Sequence, residues 1–124
     1  MLTEVSVIEF KNYTPKRTSH SDYSYGGWYL IERKCDGLKY IGKSIEVLYR
    51  LRQHVTKSNP KTAIDSSIKE LGVDAFRYYV IDNYSNYGID FFTRELEIII
   101  ENELIRIYKT FHPHGLNKTY YERI

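Results

Sequence analysis

Two β-rich runs separated by Asp36-Gly37 place the strongest constraint on how this chain can fold. Both runs, over residues 28–33 and 38–42, contain aromatic and aliphatic side chains of the kind that strands favour. An Asp-Gly pair adopts the positive backbone angles that a tight hairpin turn requires. The sequence therefore predicts an antiparallel hairpin with Trp28–Arg33 and Leu38–Gly42 as its strands.

The segments after the hairpin alternate between helical and extended patterns. A first helix is expected over 45–56, with Ser44 as its N-cap and the Asn59-Pro60 pair as its end. A second helix is expected over 61–71, a third strand over 76–81 and a long final helix over 93–109. The order ββααβα predicts a small α/β domain of the α+β type over residues 27–124. Its three-stranded antiparallel or mixed sheet would be flanked by helices.

Residues 1–26 form an N-terminal extension that the patterns define less well. Val5, Val7 and residues 8–10 suit a short strand, whereas residues 11–25 are polar and typical of a loop. The extension is therefore expected to be either an arm that contacts a partner or an extra strand.

Charge and cysteine content indicate a partner class and a compartment. The block from Arg33 to Lys61 contains eight basic residues and two acidic ones, so its net charge is +6. The rest of the chain has a net charge of −4. A local basic block suits contact with a polyanion, although a solvated charged face is the alternative. Cys35 is the single cysteine, which excludes an intrachain disulfide and favours a reducing compartment. Because no apolar run reaches the length of a membrane span, we expect a cytoplasmic protein without membrane contact.

Four side chains near the hairpin have the chemistry that phosphodiester cleavage requires. Tyr29 and Tyr40 can orient or deprotonate a water molecule if a neighbour lowers the phenol pKa. Arg50 and His54 are four residues apart, so they project from the same face of the predicted helix. Arg50 can bind a phosphate in bidentate fashion, and His54 can accept a proton from Tyr29 or contact a phosphate oxygen. The alternatives are tyrosines packed in the core and an ordinary Arg-His pair on a helix surface.

Several short motifs follow one another in the order and spacing of a known family. The first two are Gly27-Trp28-Tyr29 and Tyr40-Ile41-Gly42, and Gly115-Leu116-Asn117 closes the series. On these motifs the chain resembles the GIY-YIG nuclease domain, with Trp28 in place of the usual isoleucine. The change to Trp28 is expected to affect packing and to leave Tyr29 in position, because neighbouring strand residues point to opposite faces.

A carboxylate on the last helix is expected to bind a divalent cation. Glu101 and Glu103 both interrupt apolar stripes, and periodicity does not choose between them. The resemblance selects Glu101, because Ile105, Tyr108 and Thr110 follow it at the family's offsets. It implies one Mg²⁺ or Mn²⁺ ion with Glu101 as the single protein ligand. Lys43 and Asn117 would support the site; their alternatives are a solvated lysine and a turn residue.

The resemblance implies a metal-dependent DNA endonuclease that nicks or fully cleaves DNA with Tyr29, Tyr40, Arg50, His54 and Glu101. Its DNA contacts would come from four basic residues, Lys43, Arg52, Lys57 and Lys61. It would be a free-standing domain like those of phages and mobile elements, active in the host cytoplasm if phage-encoded. We expect a monomer or homodimer, with a partner protein as one source of sequence specificity. The alternative is a non-catalytic DNA-binding or regulatory protein that kept the fold, although none of the motif residues that such a protein would lose is missing.

Overall fold

A computed structural model of the protein describes residues 2–13, 27–44, 46–56, 59–81 and 94–118. Strands in these ranges are β1 (Leu2–Val5), β2 (Gly27–Arg33), β3 (Lys39–Ser44) and β4 (Phe76–Ile81). The α-helices are α1 (Val7–Lys11), α2 (Val47–Thr56), α3 (Ala63–Leu71) and α4 (Arg94–Tyr108). A 3₁₀ turn, Val73–Ala75, leads from α3 into β4. None of the helices in these ranges is both long and apolar enough to cross a membrane.

The strands form one antiparallel sheet in the order β1-β4-β2-β3. The predicted hairpin is confirmed, because β2 pairs with β3 and the amide of Gly37 donates to the carbonyl of Arg33. The three strands expected in residues 27–124 are present, and β1 from the N-terminal extension adds a fourth by pairing with β4. Residues 8–10 do not extend β1. They belong to α1, which begins after Ser6 with a capping box between Ser6 and Glu9.

Strand alternation places apolar side chains on both faces of the sheet. Tyr29, Ile31 and Tyr78 pack with residues of the first three helices. Trp28 and Leu30 lie on the other face and pack with apolar residues of α4. The sheet is therefore the middle of three layers. As expected, Trp28 is buried on the face opposite Tyr29, so the unusual residue of the first motif is a packing residue.

The helix ends differ from the predicted ones by one or two residues. The hydroxyl of Ser44 accepts from the amide of Glu46 in a tight turn, and the described helix α2 begins after this turn, at Val47. Helix α3 begins at Ala63 because the side chain of Thr62 accepts a hydrogen bond from the amide of Asp65. Helix α4 ends at Tyr108, and Lys109 follows with a positive φ of 56°.

The loop after α4 returns to the edge of the sheet. The amide of Leu116 donates to the carbonyl of Lys39 on β3 at 2.8 Å. Gly115 permits the tight course of this loop, because a Cβ atom there would lie 2.3 Å from the backbone of Thr110. This loop places Asn117 beside β3.

Candidate active site

Three buried polar side chains from different elements form a hydrogen-bonded triad on the face of the sheet that α2 and α3 cover. The hydroxyl of Tyr29 on β2 lies 2.7 Å from Nε2 of His54 on α2. The other ring nitrogen of His54, Nδ1, lies 2.5 Å from Oδ1 of Asp65 on α3. All three residues are at most 2% exposed. Buried polar groups of this kind are stable only when they are paired, so this triad fixes the position of the Tyr29 phenol.

Gly42 gives the Tyr29 ring its place over β3. The two residues are paired in the register of β2 and β3, so they share one face of the sheet. A Cβ atom on residue 42 would lie 2.2 Å from both Cζ and Oη of Tyr29. The glycine of the second motif therefore allows the phenol of the first motif to cross β3 toward His54.

Tyr40 lies between this buried triad and an open cleft. Its ring centroid lies 6.3 Å from that of Tyr29 and 5.7 Å from that of His54. Tyr40 is half-buried and lines a cleft of about 280 Å³. The cleft is also lined by Lys61, Glu101 and Asn117. The two tyrosines thus differ in environment, since Tyr29 is enclosed and Tyr40 borders the cleft.

Arg50 lies one helical turn before His54 and is half-buried. Its positive charge lowers the pKa of the Tyr29 phenol, but burial dominates and raises that pKa well above the ordinary value. The nearby groups Tyr40, Asp65 and Glu101 raise it further. Among the described residues, the Arg50 guanidinium has no hydrogen-bonding partner, so it can bind an incoming anion.

Glu101 is a buried carboxylate at the cleft, with 6% of its surface exposed. Its Oε1 atom has no hydrogen-bond partner in the described part of the chain. Burial raises the pKa of Glu101 to about 7, Lys43 opposes this shift, and Glu97 adds to it. Glu103 differs, because it is exposed and pairs with Arg106. The geometry thus separates the two carboxylates that periodicity left equivalent.

The residues at the cleft fit a single divalent cation. A carboxylate oxygen that is buried without a partner is a hard donor of the kind that Mg²⁺ and Mn²⁺ prefer. Within the described ranges, no group of three or more His, Cys, Asp or Glu side chains could enclose a metal. An ion at Glu101 would therefore keep most of its coordination positions for water and substrate.

The two supporting residues predicted from the sequence, Lys43 and Asn117, lie at the edge strand β3, but their contacts are with Glu97 and Ile41. Nζ of Lys43 lies 2.9 Å from Oε1 of Glu97, and Lys43 lies on the sheet face opposite Tyr29. The side-chain amide of Asn117 donates to the carbonyl of Ile41 and accepts from its amide, at 2.9 and 2.7 Å. Asn117 therefore fastens the closing loop to β3 in the way that a neighbouring strand would.

The basic residues predicted to contact DNA are only partly brought together. Lys61 lines the cleft, whereas Lys57 lies outside the described residues. Arg52 donates to the carbonyl of Tyr13 at 3.0 Å and lies over the ring of Tyr49. It thus connects α2 to the segment after α1.

Asp65 is the one member of the buried triad that the sequence did not predict. The available signal was a carboxylate between Ile64 and Ile68, on the apolar side of a short helix, since all three residues are buried. A charged residue in such a stripe is rarely buried without a partner. The partner could not be read from the sequence, because it depends on how α3 packs against α2.

Comparisons with known proteins identify the family and the fold of the chain. The sequence profile of the GIY-YIG catalytic domain matches residues 25–116. A search of curated proteins finds no significant match. Among solved structures, the chain is similar to the catalytic domain of the intron endonuclease I-TevI in a mutant form, with a TM-score of 0.58. That similarity covers 77% of this chain and 94% of the other at 15% identity. The fold and the motifs define a small nuclease-type domain, and the chain belongs to the GIY-YIG family.

Proposed function

We propose that this protein is a divalent-metal-dependent DNA endonuclease that hydrolyses phosphodiester bonds. The observation that carries the proposal is the buried Glu101 carboxylate, which lies at a cleft with Tyr40 and has an oxygen without a described partner. Burying such a group is costly, and a bound cation would remove that cost. The similarity in fold to the catalytic domain of an intron endonuclease supports the same reaction class.

Each of the other site residues has a defined chemical task in this proposal. Arg50 stabilises the negative charge that develops on the phosphate oxygens, which a bidentate guanidinium does well. Tyr29 and Tyr40 orient the attacking water, and His54 accepts a proton from Tyr29 across the 2.7 Å contact. Glu101 would hold one Mg²⁺ or Mn²⁺ ion, which when bound supplies Lewis-acid stabilisation of the phosphate and the departing oxygen.

The DNA backbone would pass along the cleft beside Lys61. Lys118 lines the same cleft, so two lysines flank the position of Glu101 and can contact neighbouring phosphates. Arg52, Lys57 and Lys43 remain proposed contributors to the basic surface. Backbone contacts carry no sequence information, so a homodimer or a partner protein would provide target specificity. A role in a phage or mobile element is part of the same proposal.

The test uses supercoiled plasmid, purified protein and Mg²⁺, with and without a chelator. We expect cleavage with Mg²⁺, no cleavage with the chelator, and no cleavage by Glu101→Ala with DNA binding retained. Glu103→Ala is the matched control, since it removes an exposed glutamate from the same helix and should cut at the wild-type rate. Binding without cleavage by the wild-type protein would instead indicate a non-catalytic module. Wild-type rates in Glu101→Ala would exclude Glu101 as the metal ligand.

A further inference from the structure

We propose that Asp65 is a positioning residue that holds His54 in the tautomer with a proton on Nδ1, so that Nε2 accepts the proton of Tyr29. This inference rests on the proposed nuclease function. It adds a residue that lies outside the motifs by which the chain resembles its family. The three side chains come from β2, α2 and α3, so the arrangement depends on the packing of all three elements.

The hydrogen-bonding capacity of each group determines which atom donates and which accepts in these two hydrogen bonds. An ionised carboxylate can only accept, so at the 2.5 Å contact Nδ1 must donate to Asp65. A neutral imidazole with a proton on Nδ1 has a free lone pair on Nε2. The Tyr29 hydroxyl must then donate to Nε2, and its oxygen keeps lone pairs that can accept a proton.

Asp65 is itself held in place and favoured as an anion. Its amide donates to the side chain of Thr62, which fixes it in the first turn of α3. The N-terminal end of a helix favours negative charge. Because Asp65 and His54 are both about 2% exposed, water competes little for their contact. Asp65 can therefore control the orientation of the ring as well as its tautomer.

The proton transfers that follow are balanced. As the oxygen of the attacking water bonds to phosphorus, its proton moves to Oη of Tyr29, and the Tyr29 proton moves to Nε2 of His54. The bond from phosphorus to the departing sugar oxygen breaks, and that oxygen takes a proton from solvent. The Asp65 carboxylate faces the resulting imidazolium. His54 afterwards returns its proton through Tyr29 to solvent, which restores the starting state.

The surroundings of Tyr29 favour transfer through the phenol over a resting phenolate. The nearby groups Tyr40, Asp65 and Glu101 disfavour a negative charge on Tyr29, and the Arg50 guanidinium favours it. Burial disfavours the charge most. Tyr29 is thus suited to gain one proton while it loses another, and His54 supplies the acceptor.

The test combines Asp65→Asn with a measurement of the His54 tautomer. The asparagine amide can accept from Nδ1–H or donate to Nδ1, so the variant no longer selects one tautomer. We expect ¹⁵N NMR of the wild-type ring to show a protonated Nδ1 and an unprotonated Nε2 at neutral pH, and Asp65→Asn to show a mixture. His54→Gln identifies the signals. For plasmid cleavage, kcat should fall at least about tenfold while KM stays within about twofold.

Ser67→Ala is the matched control, because Ser67 is also a buried polar residue of α3 but bonds to Arg33. It should leave both the His54 signals and kcat unchanged. A wild-type ring protonated on Nε2 overturns the proposal even if Asp65→Asn fails to fold. Equal kcat values for wild type and Asp65→Asn overturn the positioning role alone. A wild-type protein that cuts no DNA overturns the proposed function itself.

Discussion

The absence of a side chain at residue 42 decides where the Tyr29 phenol can lie. Tyr29 projects from a central strand, and its hydroxyl reaches His54 only by crossing the neighbouring strand at Gly42. The two motif residues thus pack together as one unit, although they are 13 positions apart in the sequence. Any atom added at residue 42 must displace the ring.

Gly42→Ala should therefore reduce cleavage strongly. The added methyl group would lie 2.2 Å from Oη of Tyr29, so the ring must move and its contact with His54 must break. Overpacking of this kind costs about 1–3 kcal/mol of stability. Plasmid cleavage and urea unfolding measure the two effects. Ile41→Val is the control, because it removes a methyl group from a buried residue on the opposite face, costs about 0.5–1.5 kcal/mol and should still cut DNA. Normal cleavage by Gly42→Ala would show that the position of Tyr29 is not critical.

Glu101 makes the stability of the metal-free protein depend on pH. Its folded-state pKa of about 7 exceeds the ordinary 4.5, so folding favours the protonated form. The favourable contribution is complete below pH 4.5 and is lost as the pH rises through 7, which amounts to about 3 kcal/mol. Glu101→Gln stays neutral, so its stability relative to wild type should increase across this range.

Chemical denaturation of both proteins at pH 5 and pH 8, with a chelator present, measures this difference. Mg²⁺ at pH 8 should then stabilise the wild type more than Glu101→Gln, because only the carboxylate gains a cation. Parallel stability curves for the two proteins at all pH values would contradict the raised pKa of Glu101.

How far the site could be predicted differs from residue to residue. Tyr29, Tyr40 and Arg50 could be selected from short motifs, because all three lie close together in the sequence, in one hairpin and the helix that follows it. Asp65 could not be found in that way, because its contact with His54 joins two helices whose relative packing no local pattern specifies. The pairing of Lys43 with Glu97 across 54 positions is non-local for the same reason.

At the level of elements, the hairpin, the helices and β4 followed from turn residues and periodicity. The fourth strand was predicted only as one of two alternatives for the N-terminal extension, because Leu2–Val5 has only four residues and two of them are exposed. It becomes a strand by pairing with β4, a contact across more than 70 residues. Helix α1 has only five residues, and its cap and the burial of Phe10 stabilise it.

Phe10 should be the residue through which β1 and α1 stabilise the domain. Its side chain is fully buried and packs against the ring of Tyr78 in a T-shaped arrangement, with the ring centroids 5.0 Å apart. Phe10→Ala should cost about 3–5 kcal/mol in urea unfolding. Ile8→Ala, on the same helix but with 88% of the side chain exposed, should change stability by less than about 0.5 kcal/mol. Equal effects of the two substitutions would show that α1 does not pack as described.

At the scale of the whole molecule, the sheet separates two helical layers. Tyr29 and His54 lie on the side of α2 and α3, and Glu101 comes from α4 on the other side. The site forms at the edge strand β3, the place where both layers can reach one cleft. The three-layer arrangement therefore places Glu101 and His54, the proposed cation ligand and proton acceptor, on helices from opposite layers.

This geometry predicts how the protein should cut duplex DNA. In the proposed function each chain contributes one Arg50 and one Glu101, so one bound chain would hydrolyse one phosphodiester at a time. The second strand runs in the opposite direction, and its cleavage requires a second site related by a two-fold axis. A monomer should accordingly convert supercoiled plasmid to nicked circles before any linear product forms, with a rate proportional to protein concentration. Gel time courses over a range of concentrations measure this, with sedimentation giving the size of the protein. Linear product without a nicked intermediate, at a rate that rises with the square of concentration, would show instead that two copies act together on the duplex.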